Sequence, residues 1–408
     1  MPSKIRHNNF LSEMQLISQN PTNNDFIQNP YKFYKNFISN DCLYFWQEYN
    51  MPAVFDYVGQ EILFKDKRFG REKLKDHSNV QERHLNMFNH VETNSMLELE
   101  PPKHTRLRGL VLRAFTTRKI NTLQTEIALL SHELLDDLKV ENVDILKEFA
   151  TLLPVIVIAR LLGVPESMAK DLLGWSNDMV MMYQARRTKE LEIKANSSTK
   201  EFVSFMEKYI EEKRCDPKDD LISHLIAAEE EGDKLSKDEL ISTCILLLNA
   251  GHEATVHTLG NGIKTIIEYG KEKKYLLPEF ISATVEEILR YDPPLHIFTR
   301  YAYEDVHFRN HKFKRGDQVA LVIGAAGRDE KIWKSAYSFN PFRSTKKNLS
   351  FGSGIHFCVG APLARLELVT ALPIIFNKFP NIRLLDEPLY SNLYHFHGLR
   401  ELNVSLNN

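Results

Sequence analysis

The sequence is poor in cysteine. It has four in 408 residues, Cys42, Cys215, Cys244 and Cys358, far apart and without a CxxC pair. That excludes a disulfide framework and the common zinc-site spacings. It fits a reducing cytosol in which one cysteine is kept for chemistry. Long apolar runs are also missing. No stretch approaches the roughly 18 uninterrupted apolar residues of a spanning helix, and Cys244–Leu248 is the longest candidate. Residues 1–20 lack the apolar core of an export signal. No membrane anchor is expected, and the location is expected to be cytoplasmic. Charge of one sign is lacking too: 52 Lys and Arg against 54 Asp and Glu give a net charge of −2, so nucleic acid is not an expected partner. With 17 Gly and 17 Pro there is no flexible linker, no low-complexity tract and no repeat. One compact domain over residues 1–408 is expected.

Most of the chain has helical period. Apolar residues recur at three and four positions in Leu123–Leu138 and Asp219–Glu230. Strand-like segments are few: Ala53–Tyr57, Val306–Phe313, Gln318–Val322 and Leu402–Leu406. The expected fold class is therefore mainly α with a minor β region. One helix stands out. Ser236-Lys237-Asp238-Glu239 reads as a capping box, and the pattern runs on to a stop near Gly270. Its middle carries Ala250-Gly251, which signals either close helix packing or a large group lying flat against this turn.

The strongest local signal is Phe351-Gly-Ser-Gly-Ile-His356-Phe-Cys358-Val-Gly360, with glycines at 352, 354 and 360. Glycines at this density mean sharp turns or close approach to another surface. Pro362 follows where an N1 proline would sit, so Cys358 lies just before a helix N-terminus, a place that favours a thiolate. A thiolate in a glycine-lined loop is a good soft ligand for iron.

This loop, continued by Ala361-Pro-Leu-Ala-Arg365, resembles the haem-binding loop of the cytochrome P450 monooxygenases. The resemblance implies the cytochrome P450 fold, haem b as cofactor and Cys358 as the axial thiolate ligand. It implies that Phe351 packs beside the thiolate and that Gly352 and Gly360 let the loop approach the porphyrin. It makes His104, Arg108, Arg300 and His356 the partners of the two haem propionates, a task that suits the planar guanidinium. Glu287 and Arg290 lie three apart on one helix face. With Arg343 they resemble the family's buried structural network. Ala250-Gly251-His252-Glu253-Ala254-Thr255 resembles the oxygen-activation motif, in which the small pair makes room and Glu253 relays protons. Here the alcohol that usually follows the acid is replaced by Ala254, and Thr255 comes one place later. Thr255, an ordered water or a substrate hydroxyl could complete the relay.

By resemblance the substrate pocket is lined from the segment between Arg71 and Leu99, from Asp178 to Arg187, and by Leu246, Asn249, Leu295, His296, Phe298, His395 and Phe396. His296 and Asn249 would favour a lipophilic substrate with an oxygen function. The expected reaction inserts one atom of dioxygen into such a small molecule. Electrons would come from a separate donor, a ferredoxin with its reductase, docking near Lys103, Arg106, Lys346 and Lys347. Rival readings are a peroxide-driven or redox-neutral haem-thiolate enzyme and a non-catalytic haem sensor.

Overall fold

The computed structural model describes residues 14–74, 83–114, 117–183, 187–230, 235–269, 273–344, 347–393 and 396–406. Helices dominate. The longest, Lys237–Tyr269, is 33 residues of continuous α-helix, roughly 50 Å at 1.5 Å per residue. Its start is built as the sequence suggests. The Ser236 hydroxyl accepts from the Glu239 N–H at 3.2 Å, and the Glu239 carboxylate accepts from the Ser236 N–H at 2.9 Å. Gly270 lies outside the described residues. Twenty-three of the helix's residues are buried, so it is an axle with other helices packed around it rather than an amphipathic surface helix. The helix keeps α geometry through Ala250-Gly251. A π-type turn forms at Leu146–Ala150, where Leu146 packs against Gly260 of the long helix.

The β structure is a minor part, as expected. Six strands form one sheet: β1 Gln15–Ile17, β2 Tyr44–Trp46, β3 Met51–Val54, β4 Phe69–Gly70, β5 Ile297–Ala302 and β6 Gln318–Val322, in the order β1-β2-β3-β6-β5-β4. β6 pairs parallel with β3 and antiparallel with β5. The expected strand Val306–Phe313 is two short strands, 306–308 and 311–313, folded on each other about Arg309 at φ 54°. A third sheet joins Arg383–Leu384, Asn403–Ser405 and Asn142–Asp144. The large sheet is backed by aromatic packing among Phe26, Phe33, Tyr34, Trp46 and Phe55. A separate, larger apolar core surrounds the long helix.

Candidate active site

Cys358 sits on a loop held by its own backbone. Its N–H donates to the Phe351 carbonyl at 3.0 Å, and the Gly352 N–H donates to Leu349 at 2.8 Å. Gly352 and Gly354 have φ of 69° and 72°. A Cβ on Gly354 would come within 2.3 Å of the Phe64 carbonyl oxygen, so the loop could not seat against that segment with a larger residue. The helix Ala361–Lys378 starts directly after it. Depth in the protein pushes the Cys358 thiol up, while the N–H groups of Gly360 and Ala361 and the Arg108 and Arg365 guanidinium groups pull it down. The donors at the helix start lower the thiol but do not offset the upward push, and the side chain itself is exposed. Phe351 packs beneath Arg365, whose guanidinium carbon is 4.6 Å from the ring centroid.

Behind this loop lies a closed polar network. Glu287 receives Arg290 at 2.7 and 2.8 Å, Arg343 at 2.8 Å and the Asn340 N–H at 2.8 Å. Arg290 also donates to the carbonyls of Gly327 and Ala336, and Arg343 to those of Lys334 and Ser338. Three helix and loop segments are thereby tied into one block, with every charge paired and hydrogen-bonded.

Above Cys358 opens a cavity of about 1680 Å³. One wall is the middle of the long helix, including Leu246, Asn249, Ala250, Gly251, Glu253, Ala254, Thr255 and Thr258. Ala250 is exposed to the cavity. A Cβ on Gly251 would meet Ile158 at 2.6 Å, so at this point of the cavity wall its size also serves close helix packing. Thr255 and Thr258 both line the wall, and the Thr258 hydroxyl is spent on the Ala254 carbonyl at 2.7 Å.

Leu295, Phe298 and Phe396 line the cavity, and Leu295 bridges Phe396. His296 does not. It is fully buried on the far side of this wall, with Nδ1 3.1 Å from the Tyr34 hydroxyl and its ring stacked 4.3 Å from His397. His397 in turn pairs with Asp292 at 2.9 Å, which also takes the hydroxyls of Tyr31 and Tyr390. The expectation for His296 fails because consecutive residues of extended chain point to opposite sides. His395 lies outside the described residues.

A basic rim borders the same cavity. Arg300 is 3% exposed, stacks over Phe64 at 5.0 Å and donates to the Thr299 carbonyl. Burial, and then the nearby charge of Arg71, depress its pKa to about 9. Arg108 donates to the Phe357 carbonyl at 2.6 Å. Neither guanidinium makes an ion pair among the described residues. His104 has a buried Nδ1 with no partner, and its ring lies 4.3 Å from that of His356. Burial, and then His356, push its pKa down to about 4. His356 is turned toward Glu100, at 2.8 Å, a carboxylate the spacing of motifs did not reveal.

The family model for cytochrome P450 matches residues 45–279 and 277–383. The chain belongs to the cytochrome P450 family. It is 37% identical over 408 residues to the polyketide biosynthesis cytochrome P450 PksS of Bacillus subtilis, covering 96% of this chain and 100% of that one. It is 36% identical to the 6-deoxyerythronolide B hydroxylase of Saccharopolyspora erythraea, over 78% of this chain and 79% of the other. Its backbone matches the crystal structure of P450BioI, in complex with a hexadec-9Z-enoic acid ligated acyl carrier protein, with a TM-score of 0.88 at 32% identity, covering 94% of this chain and all of that one.

This P450 is a haem monooxygenase, an oxidoreductase that uses dioxygen, and its cofactor is haem with the Cys358 thiolate as axial ligand. The residues present fit that group. One buried and one half-buried guanidinium group without carboxylate partners and an orphaned imidazole nitrogen border the cavity, a donor set that matches two propionates. A Cβ on Gly360 would meet nothing within 4 Å but the Cys358 sulfur, at 3.9 Å, so the space beside the thiolate is open. A substrate, dioxygen and a redox partner are its reactants. Among the described residues no helix is long and apolar enough to cross a membrane.

The segments Arg71–Leu99 and Asp178–Arg187 line the cavity as the resemblance implied, but the polar corner they build was not singled out. Glu92 holds the Tyr183 hydroxyl at 3.0 and 3.1 Å, and Arg71 pairs with Glu98. Burial, and then the charge of Glu98, push Glu92 up to about 8. These residues come from three separate segments with no shared spacing, so only the fold brings them together.

Proposed function

We propose that this P450 oxygenates a lipophilic small molecule whose oxygen function binds in the corner formed by Arg71, Glu92, Glu98, Tyr183 and Asn249. The observation that carries this reading is a set of buried polar atoms facing a mostly apolar cavity. Glu92 holds a proton at neutral pH and so can donate to a carbonyl or hydroxyl. The Arg71 Nε and the Asn249 Oδ1 are buried with no partner. Such groups cost free energy until a ligand satisfies them. The names of the relatives support a lipophilic substrate: one acts in polyketide biosynthesis, and one was crystallised with an acyl chain on its carrier protein.

When bound, haem activates dioxygen, helped by the electron density its thiolate ligand supplies. Cys358 holds the iron, and His104, Arg108, Arg300 and His356 hold the propionates. Phe351, Gly352 and Gly360 shape the loop beneath the ring. Glu253 delivers protons across the distal wall. Ala254 offers no hydroxyl, so Thr255, a water or a substrate hydroxyl completes that step. The chain works as one domain in the cytoplasm. Its electrons come from a ferredoxin steered by basic residues near the cysteine face. Lys103 and Lys347 are exposed there, whereas Arg106 is already paired with Glu239 at 2.5 Å. Lys346 lies outside the described residues.

Titration of the holoprotein with fatty acids, their hydroxylated forms and alkanes of equal length, read from the haem absorption spectrum, tests the substrate reading. Oxygen-bearing ligands are expected to bind about tenfold or more tightly than alkanes, which is about 1.4 kcal/mol, and Glu92→Gln with Asn249→Leu is expected to abolish the difference. Equal affinities in the wild type would refute the polar corner as an anchor.

A further inference from the structure

The distal acid has a second partner that the missing alcohol makes conspicuous. The Glu253 Oε1 lies 3.3 Å from the His257 Nε2, one helical turn along, and Oε2 lies 3.7 Å from the His252 Nε2. The two imidazoles are not equivalent. The His252 Nδ1 is 2.7 Å from the Leu248 carbonyl. A carbonyl only accepts, so this nitrogen carries the proton. Burial holds His252 neutral, which leaves a lone pair on the nitrogen facing Glu253. His252 therefore has no proton to give. His257 has no such competing bond.

His257 faces away from the cavity, into the seam between the long helix and the loop 396–398. Its ring lies 5.5 Å from the Phe396 ring, and a Cβ on Gly398 would fall 1.9 Å from its Nδ1. Phe396 and Gly398 are not ionisable, and the His397 between them is paired through Nδ1 with Asp292 at 2.9 Å, so Glu253, His252 and His397 are the titratable groups at this seam. Three buried polar atoms near this seam lack a partner: the His257 Nδ1, the Asn261 Oδ1 and the His397 Nε2. Asn261 spends its amide on the carbonyls of Asp292 and His397, which ties the same helix face to the same loop. Buried polar atoms left open in this way are where ordered water belongs.

We propose that His257 is the residue that recharges Glu253, and that its protons arrive by water along this seam rather than through the substrate cavity. The inference rests on the reading of Glu253 as the proton-delivering acid. Hydronium relayed along the seam water donates a proton to the His257 Nδ1, giving imidazolium and water. The Nε2–H bond then breaks and an O–H bond forms on Glu253. The Nδ1–H tautomer left behind returns to the starting one by exchange with water, Nδ1 releasing a proton as Nε2 takes one up, and no electron moves. Histidine suits the task because its charge changes near neutral pH. Burial raises the Glu253 carboxyl, but the contact with His257 opposes it, and the group ends below the ordinary carboxylate range.

The test compares His257→Gln, which keeps an N–H donor but does not titrate, with the wild type and Glu253→Gln. The first readout needs no turnover. Infrared titration follows the Glu253 carboxyl band, assigned by its loss in Glu253→Gln. In His257→Gln this band is expected to persist to higher pH. The second readout is substrate-free NADH consumption with a surrogate plant-type ferredoxin and its reductase. It is expected to slow by about 10²-fold, as for loss of a positioned proton donor, and to lose its pH dependence between about pH 6 and 8. A His257→Gln protein that matches the wild type in both readouts, while Glu253→Gln is slow, overturns the role of His257 alone. A Glu253→Gln protein with wild-type rates overturns the underlying reading of Glu253. If the glutamine variant fails to fold, His257→Asn, smaller and also an N–H donor, decides by the same two readouts.

Discussion

The two faces of the haem cavity are built on opposite plans. On the cysteine side the charges close on one another. Glu287, Arg290 and Arg343 form a saturated network, and Arg365 pairs with Glu286, which also binds Asn348. On the distal side polar groups are buried and left open: the Asn249 Oδ1, the His252 Nε2, the His257 Nδ1 and the Arg71 Nε. Closed networks fix geometry, whereas open polar atoms cost stability and are kept where a ligand, water or proton must come and go. Two residues on the helix after Cys358 depart from this pattern: the Thr370 hydroxyl is buried without a partner, and Glu367 is 1% exposed with neither oxygen bonded, burial pushing its carboxyl well up.

Substitutions can break or sharpen this contrast. The largest effect is expected from Glu287→Ala, which strands two arginines and should cost about 3–5 kcal/mol, read from denaturant unfolding and from the yield of haem-loaded protein. A normal yield would show that the proximal network carries no special weight. Arg300→Leu comes next. It removes one charged hydrogen-bonding partner for the cofactor and should weaken haem retention by about 1.5–3 kcal/mol, measured as haem transfer to an apoprotein acceptor. Glu92 supplies a test by pH. Its pKa in the folded protein, about 8, lies above the ordinary carboxylate value. The folded state therefore binds the extra proton, and stability falls as pH rises from about 4.5 to 8. Glu92→Gln should flatten that slope in thermal melts taken across this range, and an unchanged slope would place the titration elsewhere. The smallest effect is expected from Asn249→Leu. Filling the site with an apolar side chain should change stability by no more than about 1 kcal/mol in either direction, while substrate affinity drops. A loss comparable to that of Glu287→Ala would erase the difference between the two faces.

The same contrast governed what could be read from the sequence. The cysteine loop and the Glu287–Arg290 pair are local, so spacing exposed them. The long helix was legible because its capping box and length are continuous in sequence. Strands of two or three residues, such as Phe69–Gly70 and Arg383–Leu384, are too short to show a period of two. That Gly251 also packs against Ile158 was not legible from the helix alone. The polar corner was hidden for a third reason. Arg71, Glu92 and Tyr183 sit on separate segments, and nothing in their local sequence marks them as neighbours.

The bridge between Leu295 and Phe396 separates two kinds of work along one length of chain. Their side chains face the substrate, while His296 and His397 directly behind them are anchored by Tyr31, Tyr34, Tyr390 and Asp292. The backbone of that wall is thus held from outside the cavity, independently of what lines it. Positions 295 and 396 can drift in size and polarity without loosening the wall. An enzyme arranged this way can acquire new substrates by changing two side chains, and selection for catalysis and selection for folding can act on adjacent residues without interfering with each other.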